Sequence, residues 1–225
     1  GLAEYMVWPA ALVVKLPDNV SSEEAALIEP ASVALHAVRR SRLKSGESIA
    51  VLGVGTIGML AMQAAKAMGL RAFAVDRRQM SLDIAEELGA DAAINPDIID
   101  PGQTLLDLTD GVGPDAIIDA AGGRDTPAQA LRWVRRGGRV SLVAIYTAKP
   151  EFDFNTVVSA ETEIVGSLSY QQHDVEEAVH LISTGAIRTR PLISDTVGLE
   201  EVIDKGFARM MAPSKDVFRI LVSPS

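Results

Sequence analysis

The stretch VLGVGTIGML, residues 51–60, decides the fold. It carries Gly53-Val54-Gly55-Thr56-Ile57-Gly58, a GxGxxG spacing. The spacing alone is a weak signal, but its setting is informative. The apolar run SIAVLG before it reads as a strand, and GTIGMLAMQAAKAMG after it reads as a helix closing at Gly69. A glycine turn between a strand and a helix predicts a dinucleotide-binding turn. Gly53 then permits the tight turn, Gly55 lets backbone approach a pyrophosphate, and Gly58 lets helix pack closely on strand. Thr56 and Ile57 open the helix, whose free N–H donors and positive dipole end suit phosphate. A glycine-rich turn that holds no ligand is the alternative reading.

Outward from this turn, strands alternate with helices. RAFAVD reads as strand, SLDIAEELGA as helix and DAAIN as strand. A helix around residues 103–109, the strand DAIIDAAG, a helix over 126–136 and the strand GRVSLVAI follow. Thr126 is a plausible cap for that last helix, with Pro127 at its first position. Nearly uniform apolar strands alternating with helices predict βαβ units and a parallel sheet covered on both faces. ETEIVGSLSY contains a further strand. Beyond it, DVEEAVHLISTG and GLEEVIDKGFARM read as helices separated by a loop, and VFRILV as a closing strand.

Asp76 ends the second strand, 18 residues after Gly58. An acid roughly 20 residues past the turn is placed to accept hydrogen bonds from a ribose diol. It repels a 2′-phosphate, so NAD is favoured over NADP. Arg77 and Arg78 run the other way, since an arginine there meets a 2′-phosphate; a solvated helix start is their simpler use. Ligands of such sheets sit beyond the carboxyl ends of the strands. The small residues Ala120-Ala121-Gly122 and the stretch Val143-Ala144-Ile145 are therefore expected to line the same crevice. Simple close packing explains them as well.

Composition bounds the remaining possibilities. The chain has 225 residues, 48% hydrophobic and 23% charged, enough for a sizeable core. A net charge of −9 argues against nucleic acid or an anionic membrane as the main partner. There is no cysteine, so neither disulfides nor thiolate metal sites arise from this chain. That fits a reducing compartment, and a cytoplasmic protein is expected. The longest uncharged run, Ser48 to Ala65, is better read as the strand–turn–helix than as a membrane span. No secretory signal is apparent at the N-terminus. The chain opens with Gly rather than Met, in GLAEYMVWPA, already strand-like, and missing upstream sequence is expected. Residues 2–16 read as strands with a turn at Pro9.

AALIEPASVALHAV, residues 25–38, holds one ionised residue, Glu29, if His36 is neutral. A carboxylate among residues expected to be buried is costly unless paired. Ser21 and Glu24 form a capping-box pattern just upstream, and Pro30 suits the first position of a second helix over residues 30–40.

AEYMVWPA, SSEEAALIEPASVALHAV, IAVLGVGTIGML, VDRRQMSLDIAEELGAD and RRGGRVSLVAI resemble, in order and spacing, the zinc-dependent medium-chain alcohol and polyol dehydrogenases. The closest likeness is to the branch containing sorbitol, butanediol and threonine dehydrogenases, and it covers the last two-thirds of such a protein. The resemblance implies a Rossmann domain over residues 35–168. Residues 1–34 and 169–225 would be remnants of a discontinuous GroES-like catalytic domain. It also implies that Glu29 lies at a catalytic zinc, as a ligand or through water, once an absent lobe supplies a cysteine and a histidine. His36, His173 and His180 match none of the family's ligand positions, and ordinary structural use is expected of them. No catalytic residue is assigned within this chain. In the complete family enzyme zinc polarises the alcohol oxygen and hydride passes to the nicotinamide. With one carboxylate, this chain is expected to lack a four-coordinate zinc.

Three functions compete. The first is an NAD-dependent oxidoreductase acting on a secondary alcohol or diol, present here as a truncated chain. The second is an inactive NAD-binding fragment or module. The third, a zinc-free reductase preferring NADPH, is opposed by Asp76 and Glu29. The resemblance further implies a homodimer or higher, formed by pairing an edge strand. PEFDFNTVV, with alternating Phe152 and Phe154, is the matching segment. A missing lobe would expose apolar surface near Tyr5 and Trp8 on the side of Glu29.

Overall fold

In the computed structural model, which describes residues 2–212 and 216–224, every residue of Ser48–Leu52 is buried. This segment (β1) lies inside a parallel sheet. The other strands of that sheet are β2 (Arg71–Val75), β3 (Ala92–Ile94), β4 (Ala116–Asp119), β5 (Arg139–Leu142) and β6 (Glu163–Gly166). They run in the order β3-β2-β1-β4-β5-β6. The order reverses direction between β1 and β4, the arrangement of a doubly wound α/β fold.

The helices of the described residues are α1 (Ser22–Ala25), α2 (Ile28–Arg40), α3 (Thr56–Ala67), α4 (Gln79–Glu87) and α5 (Pro101–Asp107). After them come α6 (Thr126–Trp133), α7 (Phe154–Ala160), α8 (Gln172–Ser183) and α9 (Ala208–Met210). Side chains alternate across a strand, so a continuous apolar run feeds two cores. Ile49 and Val51 pack into a layer with Leu35 of α2, Leu60 of α3 and Ile182 of α8. Ala50, Leu52 and Phe73 face the other layer, with Leu105 of α5 and Leu131 of α6. Removing the fully buried Phe73 ring is expected to cost about 3–5 kcal/mol.

Polar pins fix the edges of this packing. The Ser48 backbone N–H and hydroxyl donate to Asp115 Oδ2 at 2.8 and 2.9 Å, and Arg135 Nε donates to Oδ1 at 2.7 Å. Burial alone would raise the Asp115 pKa, but these donors outweigh it and hold the carboxyl below its usual range. Between α2 and α8, the fully covered Asp174 receives Arg39 and lies 3.0 Å from His36 Nδ1. His173 Nε2 approaches the same carboxylate at 3.4 Å. His36 thus belongs to the contact between these two helices, whereas His173 is largely exposed.

Several local expectations change. Residues 2–16 form no strand; they carry a 3-10 turn at Ala10–Leu12 and expose most of their apolar side chains, Tyr5 and Trp8 among them, while Val14 and Leu16 pack against the core. Alternation makes a strand only where a neighbour supplies ladder partners. Ser21 does form the capping box with Glu24. α2 begins at Ile28, two residues before Pro30, whose missing N–H falls in the first turn, where no helical partner exists. Asp125, not Thr126, precedes α6, and that helix ends at Trp133. PEFDFNTVV is no edge strand. Asp153 accepts from the Asn155 backbone N–H at 2.9 Å and caps α7, so the second half of the segment is helical. The sheet edge is β6 instead, with Ile164 partly exposed.

Downstream, β7 (Ile193–Gly198) pairs in parallel with β8 (Arg219–Ser223) as a separate two-stranded sheet. The polar Ser194, Asp195 and Thr196, and an irregularity in the pairing between Ile193 and Asp195, hide β7 from period-two reading. The expected single helix after it is a 3-10 turn at Leu199–Glu201, a π-helix at Val202–Phe207 and then α9.

Candidate functional site

Parallel strands bring their carboxyl ends to one side, and a crevice forms where the order reverses, between β1 and β4. The glycine turn follows β1. Gly53 has φ +83°, which a residue with a side chain adopts only under strain. A Cβ on Gly53 would stand 2.7 Å from Ala121 Cα, so the turn also packs against the chain after β4. A Cβ on Gly58 would stand 1.9 Å from the Gly53 carbonyl oxygen, which makes glycine obligatory for α3 to approach β1. Gly55 meets only Arg78 Nη2, at 3.8 Å, and is otherwise open. It precedes α3 and provides no side-chain cap. Ile57 lies in the first turn of that helix, and the Thr56 hydroxyl donates to the Phe218 carbonyl at 3.0 Å.

Asp76 follows β2 and faces this turn. Its Oδ2 accepts from the Val54 N–H at 2.9 Å, and its Oδ1 accepts from the Arg78 N–H at 2.9 Å. The carboxylate therefore fixes both the glycine turn and the start of α4. Each oxygen keeps a second lone pair for another donor. The two arginines part company. Arg77 pairs with Asp97 at 2.9 Å and is 77% exposed, a solvated position. Arg78 lies over the Phe218 ring at 5.5 Å and beside Asp76 at 3.5 Å, so it, rather than Arg77, borders the crevice. Reading the pair as a solvated helix start missed this, because Phe218 arrives from 140 residues downstream.

β4 and β5 end at Asp119 and Leu142, earlier than the apolar pattern implies. Ala121, Val143 and Ile145 lie in the loops just beyond. The Val143 and Ala144 N–H groups both donate to the Asp119 carbonyl at 3.1 Å, and Ile145 is largely exposed. The same region contains Asp119, Thr126 and Tyr146, joined by hydrogen bonds; of these the sequence singles out only Thr126, and as a helix cap rather than a site residue. DAIIDAAG read as strand hides the aspartate, because a strand end and a strand interior look alike in sequence.

Glu29 corrects another expectation. It lies in the first turn of α2 and is exposed, although Ile28 and Pro30 beside it are buried. Helical geometry turns adjacent residues to different faces, so the carboxylate stays in water. It takes no hydrogen bond or ion pair among the described residues.

A cavity of about 480 Å³ opens elsewhere, lined by Glu24, Glu87, Ile187, Arg188 and Arg190 among others. Arg188 pairs there with Glu87 at 2.7 Å, and the cavity shares no residue with the glycine turn. The crevice, with its open backbone donors and an acid facing them, is the better candidate.

A family model described as zinc-binding dehydrogenase matches residues 56–184, more than half of the chain. The chain belongs to the zinc-binding dehydrogenase family. Sorbitol dehydrogenase from Bacillus subtilis is 31% identical over 228 residues, covering 100% of this chain and 64% of the relative. The crystal structure of 2R,3R-butanediol dehydrogenase from B. subtilis superposes with a TM-score of 0.87 at 32% identity, over 94% of this chain and 60% of that one. A putative zinc-binding dehydrogenase from Sinorhizobium meliloti 1021, bound to NADP, gives a TM-score of 0.85 at 27% identity, over 94% of this chain and 62% of that one. This zinc-binding dehydrogenase chain thus spans under two-thirds of the length of these relatives. Among the described residues, no group of three or more His, Cys, Asp or Glu is arranged to hold a metal ion. Glu29 alone supplies one donor where a zinc site needs four.

Proposed function

We propose that this chain is the cofactor-binding part of an NAD-dependent dehydrogenase that moves hydride between a secondary alcohol or diol and NAD. The glycine turn carries the reading: Gly53 and Gly58 are sterically obligatory, while Gly55 leaves the backbone at the start of α3 open. Gly53, Gly55, Thr56, Ile57 and Gly58 would hold the pyrophosphate, with the first-turn N–H groups of α3 as donors. Asp76 would accept from the ribose hydroxyls, which favours NAD over NADP. Arg77 takes no part, and Arg78 flanks the phosphates. Ala121, Val143 and Ile145 would border the nicotinamide half. NAD, when bound, supplies the hydride acceptor; the chain supplies binding and orientation.

Residues 35–168 are the dinucleotide-binding domain in this reading, and 1–34 with 169–225 belong to a discontinuous catalytic domain. Glu29 becomes a zinc ligand only with donors from outside this chain. A homodimer through the free edge of β6 is proposed, with the exposed Val158 of α7 and Ile164 at the contact. A sedimentation mass equal to one chain refutes it. No described helix is long and apolar enough to cross a membrane, and a cytoplasmic location goes with the reading.

The test is a calorimetric titration of NADH and NADPH into the chain. NADH is expected to bind at least about tenfold more tightly, a difference of about 1.4 kcal/mol. Asp76→Ala is expected to erase the preference. No binding of either dinucleotide sinks the reading; a preference for NADPH replaces NAD with NADP. A second reading, an inactive NAD-binding fragment, starts from the chain spanning 64% of the length of its sorbitol dehydrogenase relative. Turnover of a diol by the 225-residue chain excludes it. Oxidation of a diol by the complete gene product with NAD, lost on Glu29→Ala, supports the dehydrogenase; no activity from the complete gene product excludes it.

A further inference from the structure

Asp119, at the end of β4, is fully buried and carries a carboxylate that takes four hydrogen bonds. Oδ1 accepts from the N–H groups of Ala121 at 3.0 Å and Gly122 at 3.2 Å. Oδ2 accepts from the hydroxyls of Thr126 at 2.5 Å and Tyr146 at 2.7 Å. No ion pair reaches it among the described residues. The donors come from three places: the loop after β4, the first residue of α6 and the loop after β5. Its backbone carbonyl takes the Val143 and Ala144 N–H groups as well. The two loops also touch directly, since a Cβ on Gly122 would stand 3.1 Å from Ala144 Cβ. Burying an anion among neutral donors is an expensive way to fill space, and it is tolerated only where every acceptor site is used. What it achieves here is a fixed spacing between two loops on the β4 side of the crevice.

The crevice has two mononucleotide halves, one on each side of the reversal. Asp76 and the glycine turn serve the β2 side. We propose that Asp119 and Tyr146 are positioning residues that hold the loops after β4 and β5 at the separation the nicotinamide half requires. The inference rests on the cofactor reading above. Tyr146 suits the task, because its hydroxyl is a donor at neutral pH, and burial and the bond to Asp119 raise its pKa further.

The experiment titrates NADH and ADP-ribose, which lacks the nicotinamide, into the wild-type chain and Tyr146→Phe. Melting is followed in parallel. Loss of one hydrogen bond that acts on one half is expected to weaken NADH about five- to tenfold and ADP-ribose by no more than about twofold. Thr126→Val removes another donor to the same carboxylate and serves as the second variant if Tyr146→Phe folds poorly; the same selective loss is expected. Equal weakening of both ligands, or of neither, overturns the inference. Wild-type chain that binds no ADP-ribose removes the cofactor reading itself, and this inference with it.

Discussion

The two walls of the crevice are built by different means. On the β2 side the geometry is made by backbone and by absent Cβ atoms: Gly53 turns at φ +83°, and Gly58 lets α3 reach β1. On the β4 side it is made by side chains, with Asp119 gathering Thr126 and Tyr146. The glycine turn itself occupies six positions, Gly53 to Gly58, whereas the β4-side junction draws on residues spread over twenty-eight positions, Asp119 to Tyr146. A turn defined by missing atoms is local and rigid. A junction defined by hydrogen bonds exists only after the chain has folded, and it can be removed one bond at a time.

Gly58→Val should break the contrast most severely. The new Cβ meets the Gly53 carbonyl oxygen, which has little room to retreat. Overpacking of this kind costs roughly 3 kcal/mol, and a calorimetric Tm lowered by roughly 6–12 °C is the expected result. An unchanged Tm would mean that the helix does not pack on the strand as described. Asp119→Ala comes next. It leaves four donors without their acceptor, and a loss of about 2–3 kcal/mol is expected in urea unfolding. Asp119→Asn should lose less than half as much, because both hydroxyls can rotate to accept from the amide.

A smaller, pH-dependent effect distinguishes the two carboxylates that bracket β4. Asp115, unlike Asp119, has an arginine partner, and its folded pKa lies below the ordinary value. A depressed carboxylate contributes stability that is fully present above its unfolded pKa of about 4 and is lost as the pH falls through the folded value. Asp115→Asn should therefore lower Tm at pH 6 and flatten its decline between pH 5 and 3. A mutant curve parallel to wild type would rule out this pair as a source of acid sensitivity. The smallest effect is expected at Arg77→Ala. Its pair with Asp97 is at the surface, so Tm should not move and NADH affinity should change by less than about twofold. A larger loss would return Arg77 to the site.

Much of the fold was legible because it follows from local patterns. The alternation of apolar strands with helices predicts the parallel sheet, and each sheet strand lies in the stretch that reads as strand. The errors fall where the chain needs a distant partner. Residues 2–16 alternate like a strand but find no ladder. Phe152 and Phe154 alternate too, yet Asp153 between them caps a helix, and their rings lie 5.0 Å apart. Glu29 looks buried in a linear window and is exposed on a helix. In each case a one-dimensional pattern is compatible with two geometries, and the partner surface chooses between them.

Sequence alone determined the glycine turn, the acid after β2, the doubly wound order of elements and the family resemblance. These rest on short-range constraints: permitted φ values, Cβ clashes and the two periodicities of buried faces. Tertiary structure alone decided which arginine borders the crevice, that β6 forms the free edge, and that Asp119, Thr126 and Tyr146 converge. Such outcomes depend on groups far apart in the chain, whose meeting is fixed only when the sheet and its covering helices have closed around them.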